Sequence, residues 1–374
     1  MKLKILQENL EKAINIVGRF SSSKAQLPIL GNILLSARKN KLLVSSTNLE
    51  ISASVQTGAK IEEEGEITIP AKVIIDLVSN LPKDTIEINS EKEQLKINSS
   101  SFSSNILGVD PTDFPKVPSY VDEKKSVQIQ RDLFSEALGK ILFATSMDET
   151  RPVLTGVLFM LEKNKLTLVA TDGFRLSKKK IVLNDNKGTE NSIVIPKNVL
   201  GEMSRGVFES ENVYLEINEK EKQVLFGVGE TVLTSRLLEG EYPDFEKIIP
   251  KQTEISVTLD KEELLRAVKL AAIFARESAN VVKLKIMKDS VKISAESGQA
   301  GSQETKVDAK VEGGNSETST GKFEIAFNYR YLEDFILSVK SEEIQIGFNT
   351  PSSAGVFKDI KDPDYLHLIM PVKI

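Results

Sequence analysis

Read for its alternation of apolar and polar positions, the chain breaks into short strand-type and helix-type runs whose order recurs three times. TIEINS and QLKINSS, then NVYLEIN and QVLFGVG, alternate with a period of two between polar turns, the mark of antiparallel strands. QENLEKAINIVGRF (7–20), RDLFSEALGKILFAT (131–145) and DKEELLRAVKLAAIFAR (260–276) carry their apolar residues at helical spacing. Ala13, Ala137 and Ala267 hold matching places in them, 124 and 130 residues apart. Two strand-like runs follow each helix: LPILGNILLSA and KLLVSSTNLEISASV, RPVLTGVLFML and KLTLVATDGFRLSKK, NVVKLKIM and SVKISAESGQAG. A second helix then begins in IPAKVIIDLVSNL (69–81), IVIPKNVLGEMSRGV (193–207) and IAFNYRYLEDFILSV (325–339). Pro70 and Pro196 suit the first helical turn, where a missing N–H costs nothing. Each copy closes on Asp followed by an aromatic, at 113–114, 244–245 and 364–365.

Repetition on this scale is architectural. It predicts an α+β chain of three repeated domains, 1–122, 123–251 and 252–374, with the charged VDEKK and the polar PKQT as links. In each, two helices cover one face of a mainly antiparallel sheet of about eight strands. Leu10, Ala13, Ile14 and Val17 form the buried stripe of the first helix, with Glu8, Lys12, Asn15 and Arg19 opposite. Leu264, Ala267, Val268, Ala271 and Ala275 form the stripe in the third copy, and Arg266, Lys269 and Arg276 project away. A solvated helix back accounts for these charges as readily as an anion does.

Composition narrows the chemistry. The 374 residues contain no cysteine and one histidine, His367, in the apolar tail YLHLIMPVKI. Disulfides, thiolate sites and histidine-cluster metal sites are excluded, and a reducing cytoplasm is the expected compartment. Neither a spanning segment nor a signal peptide is expected, because MKLKILQENLEKAI is amphipathic. A net charge of −5 argues against a generally basic coat but permits a local basic surface. GVGE (227–230) lacks a third glycine and sits between strand patterns, so a hairpin turn is expected rather than a phosphate loop. No GxxxxGK[ST] or GxSxG occurs, and Asp172 in TDGFRL has no second carboxylate at an identifiable spacing. Neither catalytic residues nor a cofactor or metal is expected. An enzyme with a carboxylate site around Asp172 and a monomeric peptide-binding scaffold remain as alternative readings.

LPILGN (27–32), RPVLTGV (151–157), TDGFRL (171–176), YPDFEKIIP (242–250) and the terminal MPVKI (370–374) resemble the bacterial sliding clamp, the beta subunit of DNA polymerase III holoenzyme. The resemblance runs the full length and includes the three-unit layout. It implies a non-catalytic processivity factor: two chains joined head to tail in a ring around duplex DNA, helices lining the hole, sheets forming the outer wall. Its implied duplex-facing residues are Lys12, Arg19, Lys72, Lys140, Lys197, Arg205, Arg266, Lys269, Arg276 and Lys340 on helices, with Lys24 and Arg151 in loops. It also implies a pocket between the second and third domains for short peptides from the replicative polymerase and the clamp loader. Its wall would take Leu154, Thr171, Gly173, Phe174, Arg175 and Leu176 from the second domain, and Pro243, Lys247 and Ile248 from YPDFEKIIP. Asn328, Tyr331, Met370, Pro371 and Val372 would complete it. Phe174 stands where the family often has histidine, Lys247 where it often has arginine, and Ala279 where a bulky aromatic can line the pocket.

Overall fold

A computed structural model describes residues 1–22, 27–183, 190–205, 210–314 and 322–373. Six α-helices occur among them: α1 (Gln7–Val17), α2 (Ala71–Ser79), α3 (Arg131–Ile141), α4 (Lys197–Ser204), α5 (Lys261–Ala275) and α6 (Tyr329–Ser338). Each sequence repeat contributes two, as the periodicity predicts. The stripes form as read: Leu10, Ala13, Ile14 and Val17 are buried on α1, and Leu264, Ala267, Val268, Ala271 and Ala275 on α5. Pro70 differs slightly. It is the last residue of its strand and the N-cap of α2, with φ −52°, so its ring closes the strand one residue before the helix.

Contacts divide the described chain into two compact units that do not follow the repeats. One comprises residues 1–132 and 205–237 and the other 133–183, 190–204 and 238–373. The first repeat supplies β1 (Lys2–Leu6), β2 (Asn32–Arg38), β3 (Lys41–Thr47), β4 (Ile51–Gly58), β5 (Lys60–Glu63) and β6 (Gly65–Pro70). It ends with β7 (Thr85–Glu91), β8 (Gln94–Ser99) and β9 (Phe102–Leu107). The second supplies β10 (Val127–Gln130), β11 (Gly156–Glu162), β12 (Lys165–Thr171) and β13 (Arg175–Val182). Its other strands are β14 (Asn191–Pro196), β15 (Asn212–Asn218), β16 (Gln223–Val228) and β17 (Thr231–Arg236).

The third repeat supplies β18 (Ile255–Asp260), β19 (Val281–Ile286), β20 (Ser290–Ser297) and β21 (Gly301–Gly313). It closes with β22 (Phe323–Asn328), β23 (Glu343–Phe348), β24 (Gly355–Asp359) and β25 (Asp362–Ile369). All named pairings are antiparallel. In the first unit one sheet runs β5-β1-β7-β8-β9 and another β10-β15-β16-β17-β4-β3-β2-β6. In the second unit a single sheet runs β14-β11-β12-β13-β25-β24-β23-β18-β21-β20-β19-β22.

Two seams therefore carry a sheet from one repeat into the next. At the first, β4 pairs β17 from Val55↔Thr231 to Ile51↔Ser235. At the second, β13 pairs β25 from Arg175↔Ile369 to Lys179↔Tyr365. Gly229 (φ +58°) and Glu230 make the two-residue turn between β16 and β17, as expected of GVGE. Among the described residues no helix is long and apolar enough to cross a membrane.

Candidate functional site

The second seam gathers most of the residues proposed for peptide contact. Between β12 and β13 the chain turns at TDGFR. Thr171 Oγ1 donates to the Arg175 carbonyl (2.6 Å) and accepts from Gly173 N–H (3.0 Å). Asp172 Oδ1 accepts from the N–H groups of Phe174 (2.9 Å) and Arg175 (3.0 Å), and Oδ2 from Arg175 Nε (3.0 Å). Both oxygens are thus spent on holding the turn, the ordinary work of an aspartate there. Gly173 sits at φ +94°, where an L side chain is strained. The constrained turn leaves Phe174 61% exposed.

Arg175 differs from a plain wall residue: its side chain is only 10% exposed. Its Nη1 bonds Asp334 Oδ2 on α6 (2.6 Å), its Nη2 the Phe143 carbonyl, and its guanidinium lies 4.4 Å from the Tyr331 ring centroid. Charge pairing and stacking together make it a strut between the second and third repeats. Met370 N–H donates to the Phe174 carbonyl (2.8 Å), and Val372 N–H to the Ala326 carbonyl (2.8 Å). The tail therefore lies bonded to both repeats, with Met370 and Val372 exposed beside Phe174.

Leu154, Thr171 and Leu176 are buried and support this surface rather than form it. Leu176 packs with Leu158, Val169, Val194, Phe245, Val356 and Leu368, and Tyr242 and Ile249 join the same cluster. Pro243, Lys247 and Ile248 are exposed on the segment that Phe245 anchors, and Lys247 pairs with Asp244 at 2.8 Å. Asn328 caps α6 by accepting from Arg330 N–H (3.0 Å).

The basic set divides. Lys12, Lys72, Arg266 and Lys269 are exposed on helices. Arg19, Arg205, Arg276 and Lys340 are exposed just beyond helix ends, Arg276 donating to the Tyr329 hydroxyl (3.2 Å) and Lys340 pairing with Glu136 (2.9 Å). Arg151 bonds Asp148 (3.0 Å), and Lys24 lies outside the described residues. Lys197, the first residue of α4, is half-buried; burial, then the Arg175 charge, pulls its pKa below the usual lysine range.

Lys140 corrects the expectation of a solvent-facing helix back. It is 2% exposed, with Nζ 2.6 Å from Asp362, 3.1 Å from Glu136 and 3.4 Å from Asp359. Burial opposes its charge, but the hydrogen bonds it donates to Asp362 and Glu136 outweigh that and hold its pKa above the ordinary value. Lys179 adds a second bond to Asp362 (2.6 Å). Asp359 and Asp362, like Asp334, were missed from sequence. A signal existed for Lys140: three residues beyond Ala13, Ala137 and Ala267 lie Ile16, Lys140 and Leu270, so the lysine occupies a position that is apolar in both other copies.

Family models of the DNA polymerase III beta subunit match throughout: the N-terminal domain over residues 1–118, the central domain over 128–244 and the C-terminal domain over 246–373. The beta sliding clamp of Synechococcus elongatus is 30% identical over 386 residues, covering 100% of both chains. The chain belongs to the beta sliding clamp family. It is accordingly a non-catalytic processivity factor of DNA polymerase III. The beta sliding clamp of Staphylococcus aureus is 29% identical, covering 100% of this chain and 99% of that one. Among solved structures, the Bacillus subtilis DNA polymerase sliding clamp superposes with a TM-score of 0.93 at 29% identity, covering 100% and 99%. The Streptococcus pyogenes beta subunit gives 0.92 at 26%, covering both chains fully. Sequence reading and comparison agree on the family and on three-domain α+β architecture.

Proposed function

We propose that two copies of this chain close head to tail into a ring around duplex DNA, and that the Phe174–Met370 surface holds short peptides of the replicative polymerase and the clamp loader. One observation carries the ring: the seam rule leaves a matched remainder. The outer strand β4 of the first repeat takes β17 of the second, and β13 of the second takes β25 of the third. By the same rule β21 of the third, where residues 301–308 have β20 as their only strand partner among the described residues, is left for β9 of a first repeat. Only another chain can supply that pairing in a closed, heterologous arrangement, which also removes both exposed edges. Apolar exposure agrees: Leu270 and Ile273 on α5 are 43% and 59% exposed, and Leu107 on β9 is 72% exposed.

The three-domain division at 1–122, 123–251 and 252–374 belongs to this reading. DNA contact falls to the exposed members of the basic set, Lys12, Arg19, Lys72, Arg151, Arg205, Arg266, Lys269, Arg276 and Lys340, with the half-buried Lys197 beside them. Their attraction is non-specific and salt-sensitive, as sliding requires. Peptide anchoring falls to Phe174, Met370, Pro371 and Val372, with Tyr331, Asn328, Pro243, Lys247 and Ile248 around them and Leu154, Thr171, Gly173, Arg175 and Leu176 supporting. Exposed apolar groups on a rigid turn suit anchor recognition. The deciding experiment loads the protein onto nicked circular DNA and linearises half. Retention on circles with loss from linear DNA, together with a dimeric solution mass, is expected. A monomer held equally on both would overturn the ring.

A further inference from the structure

A groove of about 740 Å³ opens on the β2–β3 region of the first repeat, and none of the residues assigned above to DNA or peptide lines it. Register places Leu34 opposite Ser45, and Ser36 opposite Leu43, so Leu34, Ser36 and Leu43 share one sheet face. Leu34, Leu43 and Val117 are half-buried apolar groups lining the groove. On the same sheet face the second repeat packs an apolar cluster. In the matching runs LPILGNILLSA and RPVLTGVLFML, Ser36 corresponds to Met160, and Met160 packs on the Leu158–Leu176 cluster. A serine in place of that long side chain leaves volume unfilled.

The rim is cationic. Arg38, Lys39, Lys41 and Lys116 line the groove against one acid, Glu66. Glu66 is already engaged, by Arg38 Nη2 (2.5 Å) and Ser36 Oγ (2.8 Å). Lys41 reaches the exposed Glu230 at 3.1 Å, a pairing worth little in water. Lys39 stands at φ +53° in the two-residue β2–β3 turn, its backbone N–H bonded to Glu64 Oε1 (2.8 Å), so the turn is held while the ammonium has no described partner. In the corresponding turn of the second repeat Glu162 stands in place of Arg38 and pairs with Lys165 (2.9 Å), so that turn carries less positive charge.

We infer that this groove is a second protein-docking site, for an extended acidic segment carrying an apolar anchor side chain. The lining supplies an apolar seat, and the surplus cations select carboxylates on either side of the anchor.

The test uses the full-length protein and a short fluorescein-labelled peptide in which aspartates flank a Leu-Phe pair, read by anisotropy. Saturable binding that weakens with salt is expected. The Lys39→Glu/Lys116→Glu variant should bind at least ~tenfold more weakly, and a peptide with asparagine in place of aspartate should bind as weakly. Val117→Asp, checked for unchanged thermal unfolding, should also weaken binding. Met370→Ala and Arg266→Glu/Lys269→Glu should leave it intact, separating the groove from the surfaces proposed above. Absence of binding at millimolar peptide, indifference to charge reversal at Lys39 and Lys116, or equal binding of the asparagine peptide would each overturn the inference. So would anionic vesicles that bind through Lys39 and Lys116 when the peptide does not.

Discussion

The two internal seams solve one backbone problem with opposite side-chain chemistry. At the first, Ala53 pairs with Leu233 and both are fully buried; α1 adds the buried Ile16. At the second, the corresponding pair is Ser177 and His367, also fully buried, and α3 adds Lys140 over Asp359 and Asp362. Ser177 Oγ lies 2.7 Å from His367 Nδ1, within rings of Phe143, Phe335 and Phe357, and Nε2 has no described partner. The ladder of backbone hydrogen bonds joins any strands of suitable shape. Buried charge is selective: an edge that brings Asp359 and Asp362 satisfies Lys140, and an apolar edge would leave it Glu136 alone. The exposed Leu270 continues the apolar series at the edge proposed to meet another chain.

That contrast can be broken at its most exposed point first. Leu270→Asp with Ile273→Asp should break the proposed dimer, giving a monomer by sedimentation, and abolish retention on circular DNA, without changing the thermal unfolding of the monomer. A persistent dimer would remove the third seam from the scheme.

Next in size, Lys140→Ala should cost about 3 kcal/mol in denaturant unfolding, because Asp359 and Asp362 lose a buried partner. Ile16→Ala should cost about 2–4 kcal/mol by cavity formation alone. The two differ in pH response. Asp362 is opposed by burial but held below the usual carboxylate range by Lys140 and Lys179, and Glu136 is held low by Lys340 and then Lys140. A depressed folded pKa gives stability that is full above the unfolded value near 4 and is lost as pH falls through the folded one. The cost of Lys140→Ala should therefore shrink below about pH 4, and that of Ile16→Ala should not.

Met370→Ala and Phe174→Ala, both at exposed positions, should weaken a polymerase C-terminal peptide by roughly tenfold each, about 1.4 kcal/mol. Calorimetry showing unchanged affinity would remove the peptide from the second seam.

His367 gives a smaller, graded effect. Burial, then the Arg175 charge, pushes its pKa down to about 3. Folding thus favours the neutral ring. Stability is full above the unfolded value near 6.5 and declines as pH falls toward 3, by at most about 1.4 kcal/mol per pH unit. As the chain's one histidine, its replacement in His367→Gln should flatten the slope between pH 6 and 5.

Least visible should be Arg266→Gln with Lys269→Gln on α5, which should reduce the salt dependence of DNA retention by about two counterions while leaving the solution mass unchanged.

Much of this was legible before any coordinates. Ala13, Ala137 and Ala267 in register, the alternating runs and the Asp–aromatic closures determined three α+β repeats, because helix and strand periods are local properties. The motifs LPILGN, TDGFRL and YPDFEKIIP pointed to the surface proposed for peptides, but could not separate exposed Phe174 from buried Leu176 and the strut Arg175. That division depends on Asp334 and Phe143, distant in sequence. Helical spacing put Lys140 on the helix back, and only the apolar Ile16 and Leu270 at the matching positions marked it as different; its partners Asp359 and Asp362 lie 219 and 222 residues away. Periodicity alone decided which residues form helices and strands. Which repeat edges meet, and whether a charge faces water or a buried partner, was decided only by the long-range pairing of β4 with β17 and β13 with β25. Desolvation and ion pairing act on neighbours in space, and the chain order does not name them.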